Sequence, residues 1–265
     1  EKKNNLALLG KIWGYLKYFH PTVAKGEIDW DQELVSMIPK VLRAEDTEER
    51  DRIFMKWIDG LGEYKKKGKL ANWVAGLKSE DYKQQPNLEW ISTSGLDTEL
   101  VNILADLKVA NRGDENHYVS MVTFVGNPNV DNEKPYAHMR YPEVEYRLLS
   151  LFRYWNIIEY YFPYKYLIDE NWDDVLVEFI PKFLEAANEE EYQLTTLEMI
   201  ARIQDTHATY TYAPSIEKFW GLRYAPVILS FVENKPVVTG YYDKELGQQS
   251  GLKVGDVITK INDKR

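Results

Sequence analysis

The sequence predicts a mainly α-helical protein: two copies of a three-helix unit, joined by an irregular region and followed by an incomplete β-rich module. Three observations predict it. The chain repeats itself at one gapless offset of 142 residues. The repeated stretches carry apolar residues at helical spacing. Beyond Pro214 the pattern changes to short apolar runs separated by Gly, Pro and Asn, as in strands and tight turns. The chain has 265 residues, 44% of them hydrophobic and 14% aromatic, which is a globular composition with room for two domains.

The repeat sets the boundaries. Trp13 falls on Trp155, Tyr18 on Tyr160, Pro21 on Pro163 and Trp30-Asp31 on Trp172-Asp173. Further on, Ile38-Pro39-Lys40 falls on Ile180-Pro181-Lys182 and Glu48-Glu49 on Glu190-Glu191. Residues 1–62 form the first helical repeat and 146–212 the second. Residues 63–145 form an irregular connection with one helix and short strands, and 213–265 form the β-rich module.

Each copy reads as three helices. In the first helix of copy two, Leu148, Leu149, Leu151, Phe152, Trp155 and Ile158 make a wide apolar face, and Arg147, Ser150, Arg153, Asn156 and Glu159 a polar stripe at spacing three. Pro21 and Pro163 lie just beyond these helices and cannot continue them. Asp29 and Asn171 are suited to cap the second helix, and Pro39 and Pro181 are expected to end or kink it. Asp46 to Glu49 and Asn188 to Glu191 have the form of capping boxes opening a third helix. The Trp and Tyr residues read as core.

In the connection, Lys65-Lys66-Lys67 reads as a solvated charge run. Asp97 opens a helical pattern that reaches Lys108, and His117 to Val125 alternates like a strand, which residues 126–129 break. In the last module, Val227 to Val232 and Pro236 to Thr239 read as a hairpin around Glu233 to Lys235. Gly251 to Asp256 forms a turn whose backbone Asp256 can bond. Val257, Ile258 and Ile261 are expected to pack inward.

Charge and composition remove several functions. A formal charge of −9 disfavours binding to a phosphate backbone, so no nucleic acid is expected as partner. The absence of cysteine removes disulfides, Cys-ligated zinc and thiol nucleophiles, and fits either the cytoplasm or an exported protein. No apolar run reaches about 18 residues, so no membrane span is expected, and the opening EKKNNLALL has no signal-peptide core. No HExxH or similar ligand cluster exists, so neither metal nor cofactor is expected.

The stretch IQDTHATY, Ile203 to Tyr210, is the candidate site. It places Asp205, Thr206, His207 and Thr209 at the end of a helical segment. From composition alone it is a polar helix end, where a histidine suits the dipole, or a part of an active site. The counterpart in copy one, near residues 58–62, has neither His nor Thr, so the scaffold does not require these groups. His20, His117 and His138 read as structural. No serine of the chain sits in a Gly-x-Ser-x-Gly elbow.

The tail GLKVGDVITKIND, Gly251 to Asp263, resembles the turn and strand of a bacterial PDZ domain, whose remaining elements would follow Arg265. Gly221, Leu222, Arg223 and Tyr224 stand where such a domain has its carboxylate-binding loop. Together with LGKIWGYLKYFHP (Leu9 to Pro21), the stretch Arg147 to Asp173 and IARIQDTHATY, the chain resembles tail-specific (C-terminal processing), tricorn-like serine peptidases of the Bacteroidetes type. The resemblance implies a serine endopeptidase whose nucleophile lies on a later core domain, with this region inactive by itself. It implies His207 as general base, Thr206 as its hydroxyl neighbour, and Gly221, Leu222, Arg223 and Tyr224 as a loop recruiting the C-terminal segment of a peptide or protein substrate. In the classical members a lysine takes the base role. The resemblance also implies an extracytoplasmic location, in the periplasm or lipid-anchored at the cell envelope. A non-catalytic helical adaptor with a peptide-binding PDZ module shares every feature except the downstream serine. A homo-oligomer stays open.

Overall fold

Burial of four tryptophans organises the longest helices. Trp13, Trp30, Trp155 and Trp172 are all buried, and each indole N–H has a carbonyl to donate to. Trp13 Nε1 donates to Trp30 O at 2.9 Å and Trp30 Nε1 to Trp13 O at 3.0 Å. The same exchange joins Trp155 and Trp172, at 2.7 and 3.0 Å. A tryptophan brings large apolar area but must satisfy one donor when buried, and here each pair satisfies the other.

The computed structural model describes residues 1–65, 85–112, 115–124, 127–130, 132–211, 213–221 and 223–261. The chain divides into two compact units, Glu1–Tyr212 and Ala213–Arg265. In the first lie helices α1 (Lys2–Phe19), α2 (Pro21–Ala24), α3 (Trp30–Arg43), α4 (Thr47–Asp59), α5 (Trp90–Thr93) and α6 (Thr98–Lys108). A two-residue ladder of β1 (Ser120–Met121) on β2 (Pro128–Asn129) follows, then α7 (Val144–Tyr161), α8 (Trp172–Glu185) and α9 (Glu189–Ala201). The second unit holds α10 (Pro214–Trp220), the antiparallel pair β3 (Val227–Val232) and β4 (Lys235–Tyr241), and α11 (Lys244–Gln249). The protein is therefore mainly helical, with two small antiparallel sheets among the described residues.

Helices α1 and α7, α3 and α8, and α4 and α9 begin and end 142 residues apart. Their caps correspond too. Asp46 Oδ1 accepts from Glu49 N–H at 2.7 Å and Asn188 Oδ1 from Glu191 N–H at 2.9 Å. Glu49 and Glu191 reach back one residue before the cap, to the N–H of Glu45 and Ala187, both at 2.8 Å. Asp29 and Asn171 cap α3 and α8. Pro39 and Pro181 do not end these helices, which run on to Arg43 and Glu185. A proline removes one ladder bond, and the buried faces on either side of it hold the helix through.

The polar stripe of α7 does not face water. Arg147, Asn156 and Glu159 are buried. Arg147 donates to the carbonyls of Phe183 (2.8 Å) and Leu184 (3.0 Å) at the end of α8. Asn156 Nδ2 donates to Gly10 O on α1 at 3.0 Å, and Glu159 accepts from Asn87 N–H at 2.6 Å. Gly10 and Gly14 make the close approach of α1 and α7 feasible: a Cβ on Gly10 would lie 2.6 Å from the Phe152 ring, and one on Gly14 1.8 Å from Asn156 Oδ1. Ion pairs cross between the halves. Lys11 meets Asp173 at 2.6 Å, and Arg153 meets Asp31.

Over the described residues 117–124, the alternating stretch is mostly not a strand: Ser120 and Met121 pair with Asn129 and Pro128, and Val119 makes an isolated bridge to Asn116. Tyr118 and Val119 are buried, whereas Met121, Val122 and Phe124 are exposed, and Phe124 leaves the extended region at φ 68°. Lys66 and Lys67 of the lysine run lie outside the described residues.

His20 is buried and takes part in no catalytic grouping. Its Nδ1 accepts from Thr22 N–H at 3.3 Å, capping α2, and burial pulls its pKa down to about 4. The unfolded chain binds a proton near pH 6.5 that the folded chain refuses until about pH 4. Stability from this group is therefore fully present above pH 6.5 and lost as pH falls towards 4. Urea unfolding at pH 7 and pH 4.5 is expected to show a loss that shrinks by roughly 2 kcal/mol in His20→Asn, which keeps a capping acceptor. An equal pH dependence in both proteins would exclude His20 as the source.

In the second unit, β3 and β4 are joined through Glu233 and Asn234 at φ 48° and 60°, the two positive angles of a type I′ hairpin turn. Gly251 (φ 79°) and Gly255 (φ 97°) shape the next turn, where Asp256 Oδ2 accepts from Lys253 N–H at 2.8 Å. Val257 bridges Val237, so β4 has neighbours on both sides. Val257 and Ile261 do not pack inward: they are 45% and 70% exposed, because nothing among the described residues covers that face. Asn262 and Asp263 lie outside the described residues.

Candidate functional site

Helix α9 ends at Ala201, and the chain then makes two tight reversals. Gln204 takes a positive φ of 56°, and Ala208 N–H donates to Asp205 O at 3.0 Å, closing a turn over Asp205 to Ala208. Ile203 is buried on one side of the turn, and Gln204 Nε2 donates to Asp169 at 3.1 Å on the other. Arg202 is held by Glu170, by Glu178 (2.7 Å) and by Glu198 (3.3 Å). The turn is thus fixed at its base.

Within it, one oxygen of Asp205 accepts twice from His207: from the backbone N–H at 2.8 Å and from Nδ1 at 3.0 Å. The first bond is that of an Asx turn. The second fixes the ring, with Nδ1–H as donor and Nε2 outward. The His207 side chain is 94% exposed, and Nε2 has no hydrogen-bond partner among the described residues. The His207 backbone N–H, and then the ring, hold the Asp205 carboxyl below the usual carboxylate range, so it is ionised at neutral pH. Thr206 is exposed on the turn. The structure thus brings Asp205 and His207 together. The sequence shows Asp205 two residues before His207, the Asx-turn spacing, which is the signal for its holding role.

No described serine bonds to a histidine. Ser36, Ser92, Ser94, Ser150 and Ser250 donate to carbonyls of their own helices, and Ser230 pairs with Thr239. Ser79 lies outside the described residues. Among the described residues, no group of three or more His, Asp or Glu side chains gathers at a metal-binding distance, and no helix is long and apolar enough to cross a membrane.

In the second unit, Gly221 ends α10 at φ 87°, an angle that favours glycine. Arg223 and Tyr224 are exposed, and Leu222 lies outside the described residues. They lead into β3, which pairs with β4 along one edge and carries no ladder on the other among the described residues. An open edge offers N–H and C=O groups to an added strand. His117 sits against Gly26, and His138 is exposed.

The fold and site define a mainly helical protein with an oriented Asp–His pair and a small antiparallel sheet whose β3 edge carries no ladder among the described residues. No protein-family model, curated protein or solved structure matches the chain.

Proposed function

We propose that this chain is the helical scaffold and the first part of the PDZ module of a serine endopeptidase of the tail-specific, tricorn-like type. The observation that carries this reading is the Asp205–His207 pair. A carboxylate on Nδ1 fixes the tautomer in which Nε2 can take a serine's proton. Thr206 is the hydroxyl neighbour of that base. The matching helix bounds of residues 2–59 and 144–201 support two copies of one three-helix scaffold. The open edge of β3, preceded by Gly221, Leu222, Arg223 and Tyr224, suits strand addition by a substrate's C-terminal segment, with Arg223 offering a cation to its carboxylate. Further PDZ elements would cover Leu229, Val257 and Ile261, which are exposed here. The nucleophile belongs to a later domain, and an extracytoplasmic location goes with the family.

In the longer polypeptide, His207→Ala is expected to lower kcat for a tagged protein substrate at least ~10²-fold, with the urea unfolding midpoint unchanged because the side chain is exposed. Asp205→Asn should lower kcat with little effect on KM. Full activity in His207→Ala would overturn the base assignment in favour of a lysine. Peptide hydrolysis by residues 1–265 alone would refute the placing of the nucleophile elsewhere.

A second reading is a non-catalytic adaptor, which shares the helical scaffold and the β3 edge and differs only in having no later serine. C-terminal peptide binding without cleavage by the longer polypeptide would select it.

A further inference from the structure

Between α7, α9, Val130 and residues 133–142, within the first unit, lies a cavity of about 620 Å³. Five tyrosines line it: Tyr136, Tyr146, Tyr154, Tyr192 and Tyr210. Four of their hydroxyls are already engaged. Tyr136 donates to Asp31 (3.0 Å), Tyr154 to Ile200 O (3.4 Å) and Tyr192 to Ser150 (3.0 Å), while Tyr146 accepts from Gln32 (2.6 Å). Tyr136 and Tyr146 also meet edge to face, with centroids 5.2 Å apart. These bonds fix the rings before any ligand arrives.

The charges on the wall are compensated. Arg153 pairs with Asp31 and lies 3.1 Å from Glu133, whose other oxygen meets Lys17. Arg140 lies 3.0 Å from Glu189. An ionised ligand would lose hydration there without gaining a free counter-charge. The guanidinium of Arg153, 5.3 Å from the Tyr136 ring, already takes the place of a cation over that face.

We infer that this cavity binds the bulky, uncharged aromatic side chain of a peptide. Its volume falls in the range of ligand sites, roughly 300–1,000 Å³. Fixed tyrosine rings offer edge and face contacts to another ring. Exposed Ala137 and Arg140 lie on its wall, so a peptide backbone can remain in water while the ring enters. The inference does not require a peptidase. Along the chain, Tyr210 of the cavity wall stands three residues beyond His207.

The test is a titration of residues 1–265 with N-acetyl-L-phenylalaninamide, N-acetyl-L-alaninamide and N-acetyl-L-lysinamide, followed by NMR. The phenylalanine probe should saturate and bind at least about tenfold tighter than the other two. Ala137→Trp, at an exposed position, should block binding, and Tyr210→Ala should weaken it about fivefold with the circular dichroism unchanged. If Ala137→Trp fails to fold, Tyr210→Ala decides. Lysinamide binding as well as phenylalaninamide would overturn the inference, as would affinity unaltered by the folded variants or the absence of saturation. None of these outcomes bears on cleavage by the longer polypeptide, so the two readings fail separately.

Discussion

Gly14→Val is expected to destabilise the protein by roughly 3–5 kcal/mol. A Cβ at residue 14 would lie 1.8 Å from Asn156 Oδ1, far inside contact distance. Asn156 cannot move aside cheaply. It is fully buried, and its Nδ2 donates to Gly10 O at 3.0 Å and Phe152 O at 2.8 Å. Either the α1–α7 contact opens or those bonds break, and an orphaned buried amide costs about 1–3 kcal/mol. The repeat supplies a control. Residues 14 and 156 are equivalent positions at the offset of 142, and so are Gly10 and Phe152. Exchanging the pair, Gly14→Asn with Asn156→Gly, should recover much of the stability lost in Gly14→Asn alone, because the crossing helices are related by the same offset. Urea unfolding measures both. A loss under 1 kcal/mol in Gly14→Val would show that the helices separate without cost and would refute the packing argument.

Much of this frame is legible in the sequence, and the reason is physical. Caps, repeat register and the tryptophans act locally or at a constant spacing. Asp46 with Glu49, and Asn188 with Glu191, specify helix starts with no knowledge of the rest of the chain. What was not legible is which face meets which partner. The stripe of Arg147, Asn156 and Glu159 has the spacing of a solvated face, yet it is buried, because its partners stand on α1, α8 and the connection. Gly10 and Gly14 look like weak points of a helix until the opposing Phe152 and Asn156 are known. Of the candidate site, the Asp205–His207 pair is local and lies within IQDTHATY, whereas the tyrosine cavity joins Tyr136 of the connection to Tyr146, Tyr154 and Tyr192 of the second repeat and to Tyr210 at the end of the candidate stretch. A pattern along the chain carries no sign of such a meeting.

Glu133→Gln is expected to cost about 3–5 kcal/mol at neutral pH, from a residue in a segment that sequence reading treats as connection. Glu133 is the counter-charge of Lys17, whose ammonium is fully buried 4.6 Å from the Trp13 ring and 4.7 Å from that of Tyr118. Burial pulls the Lys17 pKa down, and Glu133 opposes the shift. Without the carboxylate, the folded chain must either hold an unpaired ammonium or release its proton. With the folded pKa below the unfolded one, the unfolded chain binds more protons between the two, so stability rises with pH. The cost of Glu133→Gln should therefore shrink as pH climbs towards the ordinary lysine range near 10. The double variant Lys17→Met with Glu133→Leu removes both charges and should regain most of the loss, since a buried pair is often replaceable by packed apolar groups whereas half a pair is not. Urea unfolding of the three proteins at pH 7 and pH 9.5 decides the matter. A cost independent of pH, or a double variant no better than Glu133→Gln, would show that Glu133 acts only through Arg153, which it meets at 3.1 Å, and not through Lys17.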